Sequence, residues 1–224
     1  MISVIVPTRN EEELLPRCLE SVLSEKEEIE LIVVDGNSSD RSLEVARSYT
    51  DQVLALKNSD LAAQLNAGAD IAGGDTLLFL HADSSLRPGA IAQLKKISAK
   101  VVGGAFRMQL DDNRFFYRLL SLGGNLYCRF TGTYFGDRGI FVRSSIFEQI
   151  GGFSPLPIMA DVEFSRRLKS YGKTVLLEGP VISSSRKFDR EGALYTLYLI
   201  TYALAAYRLG VSPELIKEKY YRQS

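Results

Sequence analysis

The single histidine of this 224-residue chain, His81, lies in Leu77-Leu78-Phe79-Leu80-His81-Ala82-Asp83, where an apolar run with the character of a buried strand ends in polar groups. In open α/β sheets ligands bind outside the carboxyl ends of the strands, and an Asp two residues past such a run can hold a divalent cation at the rim. Asp83 is therefore the candidate metal ligand, set against the plainer reading of a solvated strand-to-loop carboxylate. A Mg²⁺ or Mn²⁺ ion there would neutralise charge growing on a diphosphate leaving group. His81 could complete the coordination or bond a phosphate or ribose; otherwise it is a strand-end imidazole facing solvent.

Five further segments carry residue types that suit an anionic, sugar-bearing nucleotide. Pro7-Thr8-Arg9-Asn10-Glu11-Glu12 offers an arginine and an amide for a base, ribose or phosphate, while Asn10 is also a good helix N-cap. Asp35 can accept bonds from a base or ribose, and Ser38, Ser39 and Asp40 suit the cap of the next helix. Gln64-Leu65-Asn66-Ala67-Gly68-Ala69 is helical by pattern yet holds two amides and a glycine, which allows close approach of a ligand or of a neighbouring strand. In Met159-Ala160-Asp161-Val162-Glu163 a carboxylate at a loop-to-helix junction can take the proton of an attacking hydroxyl, or simply cap the helix. Asp161 is the candidate base and Glu163 the fallback. Arg186-Lys187-Phe188 could clamp a diphosphate and stack an acceptor, or form a solvated turn.

These segments need a scaffold that brings strand ends together. Ile2 to Val6 reads as a strand stopped by Pro7, followed by a helix from Glu11 to about Leu23 with Leu14, Leu15, Cys18, Leu19 and Val22 on one face. Strands at Leu31–Val34, Val53–Leu56 and Thr76–Leu80 alternate with a helix carrying Leu43, Val45 and Ala46 and with another over Leu61–Ile71. The first hundred residues thus predict a parallel sheet covered on both sides. The second half is less regular. Strands are expected at Gly103–Met108 and Gly139–Val142, and helices at Arg114–Leu126, Ser144–Ile150 and Asp161–Tyr171; Gly151 to Pro157 is a loop because its two glycines and two prolines fit neither element. The expected organisation is one domain over 1–224, with a regular half at 1–100, a less regular half at 101–190 and C-terminal helices at 191–224.

Bulk composition narrows the partners. Lys plus Arg and Asp plus Glu each number 27, so no net field draws the chain to nucleic acid. Cys18 and Cys128 fit neither a disulfide framework nor a metal cluster, and the start has no basic leader, so a cytoplasmic setting is expected. Gly192 to Tyr207 is uncharged and rich in Leu, Tyr and Ala, but short of the roughly 20 apolar residues of a bilayer span. It reads as a helix packed on the sheet or on a second copy of the chain, with peripheral membrane contact as the alternative.

Taken together, Val4-Ile5-Val6-Pro7-Thr8-Arg9-Asn10-Glu11, Val33-Val34-Asp35-Gly36-Asn37-Ser38-Ser39-Asp40 and Phe79-Leu80-His81-Ala82-Asp83 resemble family 2 glycosyltransferases of the GT-A, or nucleotide-diphospho-sugar transferase, fold. The Gln64 to Ala69 segment, Gly136-Asp137-Arg138-Gly139-Ile140-Phe141-Val142-Arg143, Gly151-Gly152-Phe153 and Met159 to Leu168 are similar to the small subgroup linked to radical-SAM/selenodomain neighbourhoods or arsenosugar biosynthesis. The resemblance implies an α/β fold, a mainly parallel sheet flanked by helices with a small mixed second half, in which 1–100 is the nucleotide-sugar-binding half and 101–190 the acceptor-side half. It also implies inverting, metal-assisted transfer of a sugar from a nucleoside diphosphate donor, UDP- or GDP-linked, to a small-molecule or lipid-linked acceptor. Carried over by position, Pro7, Arg9, Glu11 and Asp35 lie around the nucleotide, Asp83 holds the metal and Asp161 is the base; Gln64, His81 and Arg186 join the nucleotide-sugar set. Departures from the family pattern are His81 in place of the first carboxylate of a DXD motif, Ala160 where Glu is common, and Arg138 where Gln is usual. Two rival readings are a non-catalytic nucleotide-sugar-binding partner of a glycosylation complex and a sugar nucleotidyltransferase, although Thr8-Arg9-Asn10 lacks the Gly-rich, Lys-containing phosphate loop of the latter.

Overall fold

The computed structural model describes residues 1–57 and 60–221. Its centre is a sheet of β1 (Ile2–Thr8), β2 (Ile29–Asp35), β3 (Val53–Ala55), β4 (Thr76–Phe79), β5 (Ser84–Leu86), β6 (Val101–Leu110), β7 (Ile140–Arg143) and β8 (Lys173–Ser183), in the order β3-β2-β1-β4-β7-β6-β8-β5. β1 and β4 are buried along their whole length, as strands covered on both faces must be. Successive β1 side chains point to opposite faces: Val4 and Val6 join Leu15, Leu19 and Val22 in one core, whereas Ile5 joins Val34 and Leu65 in the other.

The described residues also form ten helices, most of which cover these faces. They are α1 (Leu15–Leu23), α2 (Ser42–Tyr49), α3 (Leu61–Asp70), α4 (Ala90–Lys95), α5 (Phe115–Thr131), α6 (Ser144–Ile150), α7 (Ala160–Tyr171), α8 (Arg186–Glu191), α9 (Ala193–Arg208) and α10 (Pro213–Tyr220). The first four strands in the order are mutually parallel, while β7 runs antiparallel to both β4 and β6, and β6 and β8 are parallel. The parallel first half and the mixed second half are thus as expected.

Several boundaries differ from the sequence expectation. Pro7 sits inside β1 rather than ending it. Leu80 N donates to Ile5 O at 3.0 Å, so alternation turns the Pro7 nitrogen to that same side, beyond the end of β4, where no donor is required. α1 starts at Leu15 rather than Glu11, because Pro16 suits a first helical turn and the preceding residues form a tighter turn. α5 runs through Gly123 and Gly124 to Gly132, whose left-handed backbone (φ 60°) makes the stop. The long strand β8 absorbs Gly179-Pro180 in a register shift opposite Phe106–Met108, the place in a ladder where proline is tolerated.

This topology sets the site. The carboxyl ends of β1, β2, β4, β6 and β8 emerge on one sheet edge. Because β7 is antiparallel, with Ile140 opposite Phe79, the segment that enters β7 lies on that edge as well.

Candidate active site

The loops after β1 and β2 are stitched into one surface. Asn10, with left-handed backbone (φ 55°), is no helix cap; its Oδ1 accepts from Ser39 N at 2.8 Å, and its own N–H donates to Ser38 Oγ at 3.0 Å. Asp40 accepts from Ser42 N at 2.9 Å and from Glu12 N at 3.1 Å, so it fastens the two loops together as well as starting α2. Glu11 N donates to Ser42 Oγ at 2.7 Å. Asp35 is buried and accepts from the N–H groups of Asn37 and Ser38, both at 3.0 Å, and from the Ser38 hydroxyl. Most of its hydrogen-bonding capacity thus shapes its own loop.

Gln64 on α3 is buried beneath this loop, so close to Gly36 that a side chain there would collide with its amide. Its Oε1 and the Thr8 hydroxyl are buried without a protein partner. Gly68 meets the strands rather than the loop edge: a Cβ there would stand 2.5 Å from Ile5 Cγ2. Asn66 exchanges two hydrogen bonds with the Phe153 backbone, at 2.8 and 2.9 Å, and so fixes the Gly151–Phe153 turn. Pro7 is buried and Arg9 is exposed at the mouth of the β1 loop.

His81 and Asp83 follow β4 as expected. The His81 ring packs on Gly136, where an added Cβ would lie 2.5 Å from Nε2. The next residue, Asp137, was not anticipated from sequence. Its Oδ1 is buried without a hydrogen-bond donor, and burial raises its carboxyl above the usual range; the Asp83 charge adds to the rise while Arg138 and His81 oppose it. Arg138 is buried under α5, with Nη1 2.5 Å from Asn125 Oδ1, and Gly124 leaves it room. Asn125 in turn bonds both the N–H and the carbonyl of Met108, each at 2.9 Å. The sequence signal for Asp137 was a charged pair flanked by two glycines at the start of a strand.

Asp161 opens the first turn of α7 behind Met159, whose left-handed backbone (φ 67°) is costly for a side chain of that size. Its Oδ2 accepts from Gly136 N and its Oδ1 from Val162 N, both at 2.8 Å. Burial raises the Asp161 carboxyl above the usual range and Asp137 adds to the rise, whereas the two N–H donors and His81 lower it. A carboxylate so placed can accept a proton near neutral pH. Ala160 points into the core. Glu163, the fallback, is committed elsewhere: Arg167 grips it bidentately at 2.6 and 2.7 Å, and Ser154 donates to it at 2.9 Å. Arg167 also binds the carbonyls of Ile150 and Gly152, at 2.7 and 2.8 Å.

Arg186, delivered by β8, forms an ion pair with Glu11 of the β1 loop. Burial raises the Glu11 carboxyl despite that pairing. Lys187 and Phe188 do not form a clamp. The Lys187 ammonium lies 3.9 Å from the Tyr220 ring centroid, and Phe188 packs edge-on against Tyr117. α9 and α10 bury Ala203, Ala206 and Ile216 against Ile158 and Met159, so this hairpin rests on the loop that precedes Asp161. No helix among the described residues is long and apolar enough to cross a membrane.

Among the described residues no cluster of three His, Cys, Asp or Glu side chains forms a ready-made metal site. A cation carried by a diphosphate needs only one or two protein carboxylates. Asp83, together with the Asp137 oxygen that receives no hydrogen bond and has Arg138 Nε 4.0 Å away, fits that requirement.

Strand ends, a stitched pair of loops and grouped carboxylates thus meet on one edge of the sheet. The chain belongs to Glycosyl transferase family 2, whose model matches residues 3–156. It is 31% identical over 156 residues to an undecaprenyl-phosphate 4-deoxy-4-formamido-L-arabinose transferase of Photorhabdus laumondii, a match covering 64% of this chain and 48% of the relative. The chain thus spans about half the length of that curated relative. Among solved structures, the mannosyltransferase PcManGT of Pyrobaculum calidifontis, in complex with GDP-Man and Mn²⁺, superposes with a TM-score of 0.67 at 20% identity, over 98% of this chain and 68% of its own. S. aureus TarS 1–349 in complex with UDP-GlcNAc gives 0.66 at 17% identity, over 82% and 58%. These likenesses establish the GT-A fold, and the family to which the chain belongs is one of glycosyl transferases.

Proposed function

We propose that this chain transfers a sugar from a nucleoside diphosphate donor to an acceptor hydroxyl with inversion at the anomeric carbon. The observation that carries the reading is Asp161, a carboxylate of raised proton affinity held by the Gly136 N–H beside His81 and Asp137. Asp161 takes the acceptor's proton as the acceptor oxygen bonds to the anomeric carbon. The bond from that carbon to the diphosphate oxygen breaks, and its electron pair leaves with the nucleoside diphosphate. Attack from the face opposite the leaving group is what inverts the centre.

Pro7, Arg9, Glu11, Asp35, Gln64 and His81 surround the donor in this reading. Asp35 acts through the loop it shapes, Thr8 and Gln64 bring unpartnered polar atoms, and Arg186 offers positive charge to the diphosphate once released from Glu11. A divalent cation, Mg²⁺ or Mn²⁺, held by Asp83 with Asp137 beside it would neutralise charge on the leaving diphosphate. The donors bound by the two structural relatives support a UDP- or GDP-sugar, and the Photorhabdus relative's name supports a lipid-linked acceptor met at the membrane surface. The narrower subgroup rests on the motif residues alone.

The deciding experiment is a thermal-shift series with UDP, GDP, dTDP and CDP in Mn²⁺, Mg²⁺ or EDTA, on the wild type and Asp83→Ala. A nucleotide at about a hundred times its Kd stabilises by roughly 2.7 kcal/mol. A metal-dependent shift that Asp83→Ala abolishes is the expected outcome; no shift with any nucleotide would overturn the reading.

A further inference from the structure

The outer face of α5 is an apolar row. Phe115, Leu119, Leu122, Leu126 and Phe130 follow one another at helical spacing and are 81, 54, 47, 45 and 82% exposed. The opposite face is the packed one: Tyr117, Ser121, Asn125 and Cys128 point inward. A water-facing row of two phenylalanines and three leucines on a well-anchored helix marks an interaction surface rather than an ordinary solvated face.

Charge indicates what covers it. Residues 115–131 contain no Asp or Glu, and their two cations, Arg118 and Arg129, fall by the helical repeat along the same edge of the row. Among the described residues Arg118 has no ion pair, and Arg129 reaches only the exposed Glu178, at 3.5 Å. A second copy docked about a two-fold axis would bring these arginines together with no acidic residue on the helix to offset them. An anionic surface satisfies them.

We propose that α5 docks this protein on a bilayer carrying anionic headgroups, its phenylalanines and leucines entering the headgroup boundary and Arg118 and Arg129 meeting lipid phosphates. This rests on the glycosyltransferase reading with a lipid-linked acceptor and locates the membrane contact on α5 rather than on the Tyr-rich α9. The inner face of α5 holds Arg138 through Asn125, next to Asp137, so docking places the candidate site one helix away from the lipid surface.

The test is co-sedimentation of the full chain with vesicles of phosphatidylcholine alone or mixed with phosphatidylglycerol. The wild type, Phe115→Ser/Phe130→Ser and Arg118→Gln are compared, each also checked for Tm and for its nucleotide thermal shift. The wild type should pellet with the anionic vesicles. Binding should fall at least about tenfold on phosphatidylcholine alone and in the double variant, and severalfold in Arg118→Gln, with Tm and nucleotide shift unchanged. Wild type that stays in the supernatant, a double variant that pellets equally well, or a wild-type dimer that the double variant converts to monomer would each overturn the proposal. A nucleotide shift without vesicle binding rejects the docking surface alone; vesicle binding without a nucleotide shift supports the surface and rejects the donor reading.

Discussion

Asp161 Oδ2 lies 2.8 Å from the N–H of Gly136, so the first turn of α7 is tied to the segment entering β7. The His81 ring occupies the space where a Gly136 side chain would sit. Gly136→Ala must move either the imidazole or the donor to Asp161. Turnover should fall by about ten- to a hundredfold, since small misplacements of reacting groups cost that much, while the nucleotide thermal shift survives. Steady-state kinetics on the variant decide this, and unchanged kcat would show that the contact does not align Asp161.

Asp161→Asn keeps the size and one acceptor oxygen but removes the base. Turnover should drop at least about a hundredfold while the nucleotide still raises Tm. A variant that turns over normally would transfer the proton-accepting role to another group.

The raised Asp161 proton affinity sets two pH dependences of definite sign. Activity needs the ionised form, so it should rise as pH rises through a value above the ordinary carboxylate range. Stability runs the other way for this group: its charged form is disfavoured in the fold, so it costs stability at neutral pH, and the cost disappears as pH falls through the raised value. The Tm advantage of Asp161→Asn over the wild type should be largest near neutrality and shrink on acidification. A difference that grows in acid would contradict the burial argument.

Glu163 lies two residues from Asp161 and is expected to behave differently. Its carboxylate completes a largely buried pair with Arg167, whose guanidinium also holds the Ile150 and Gly152 carbonyls. Glu163→Gln leaves the guanidinium partly unpaired and should cost about 3 kcal/mol, or roughly 6 to 12 °C in Tm for a chain of this size. At temperatures where the variant is folded, kcat should stay within a few-fold of wild type. A hundredfold loss of kcat without loss of Tm would reverse the assignments of the two carboxylates.

The alternating first half was legible because β1, β2 and β4 are apolar runs closed by polar residues, a local pattern that survives folding. His81, Asp83 and Asp161 stood out for the same reason, at junctions where periodicity stops. What stayed hidden was pairing across the chain. Glu11 and Arg186 are 175 positions apart, and no local pattern shows that β8 returns to the β1 loop. Asp137 stayed hidden because its side chain is only half-buried and the neighbours that cover its Oδ1 lie on other elements. Asp40 and Asn10 looked like independent caps because the bonds that join them cross between loops. β5 was missed since Ser84-Ser85-Leu86 has too little apolar character to announce a strand.

The strained backbone of Met159 packs against α9 and α10. A chain shortened before α9 would retain all eight strands and the side chains of Asp83, His81 and Asp161, yet free the residue that aims one of them. Met159 would relax toward an ordinary conformation and turn the start of α7 with it. The last helices are therefore a clamp on the loop that leads into Asp161, a hundred residues and more after the first strand.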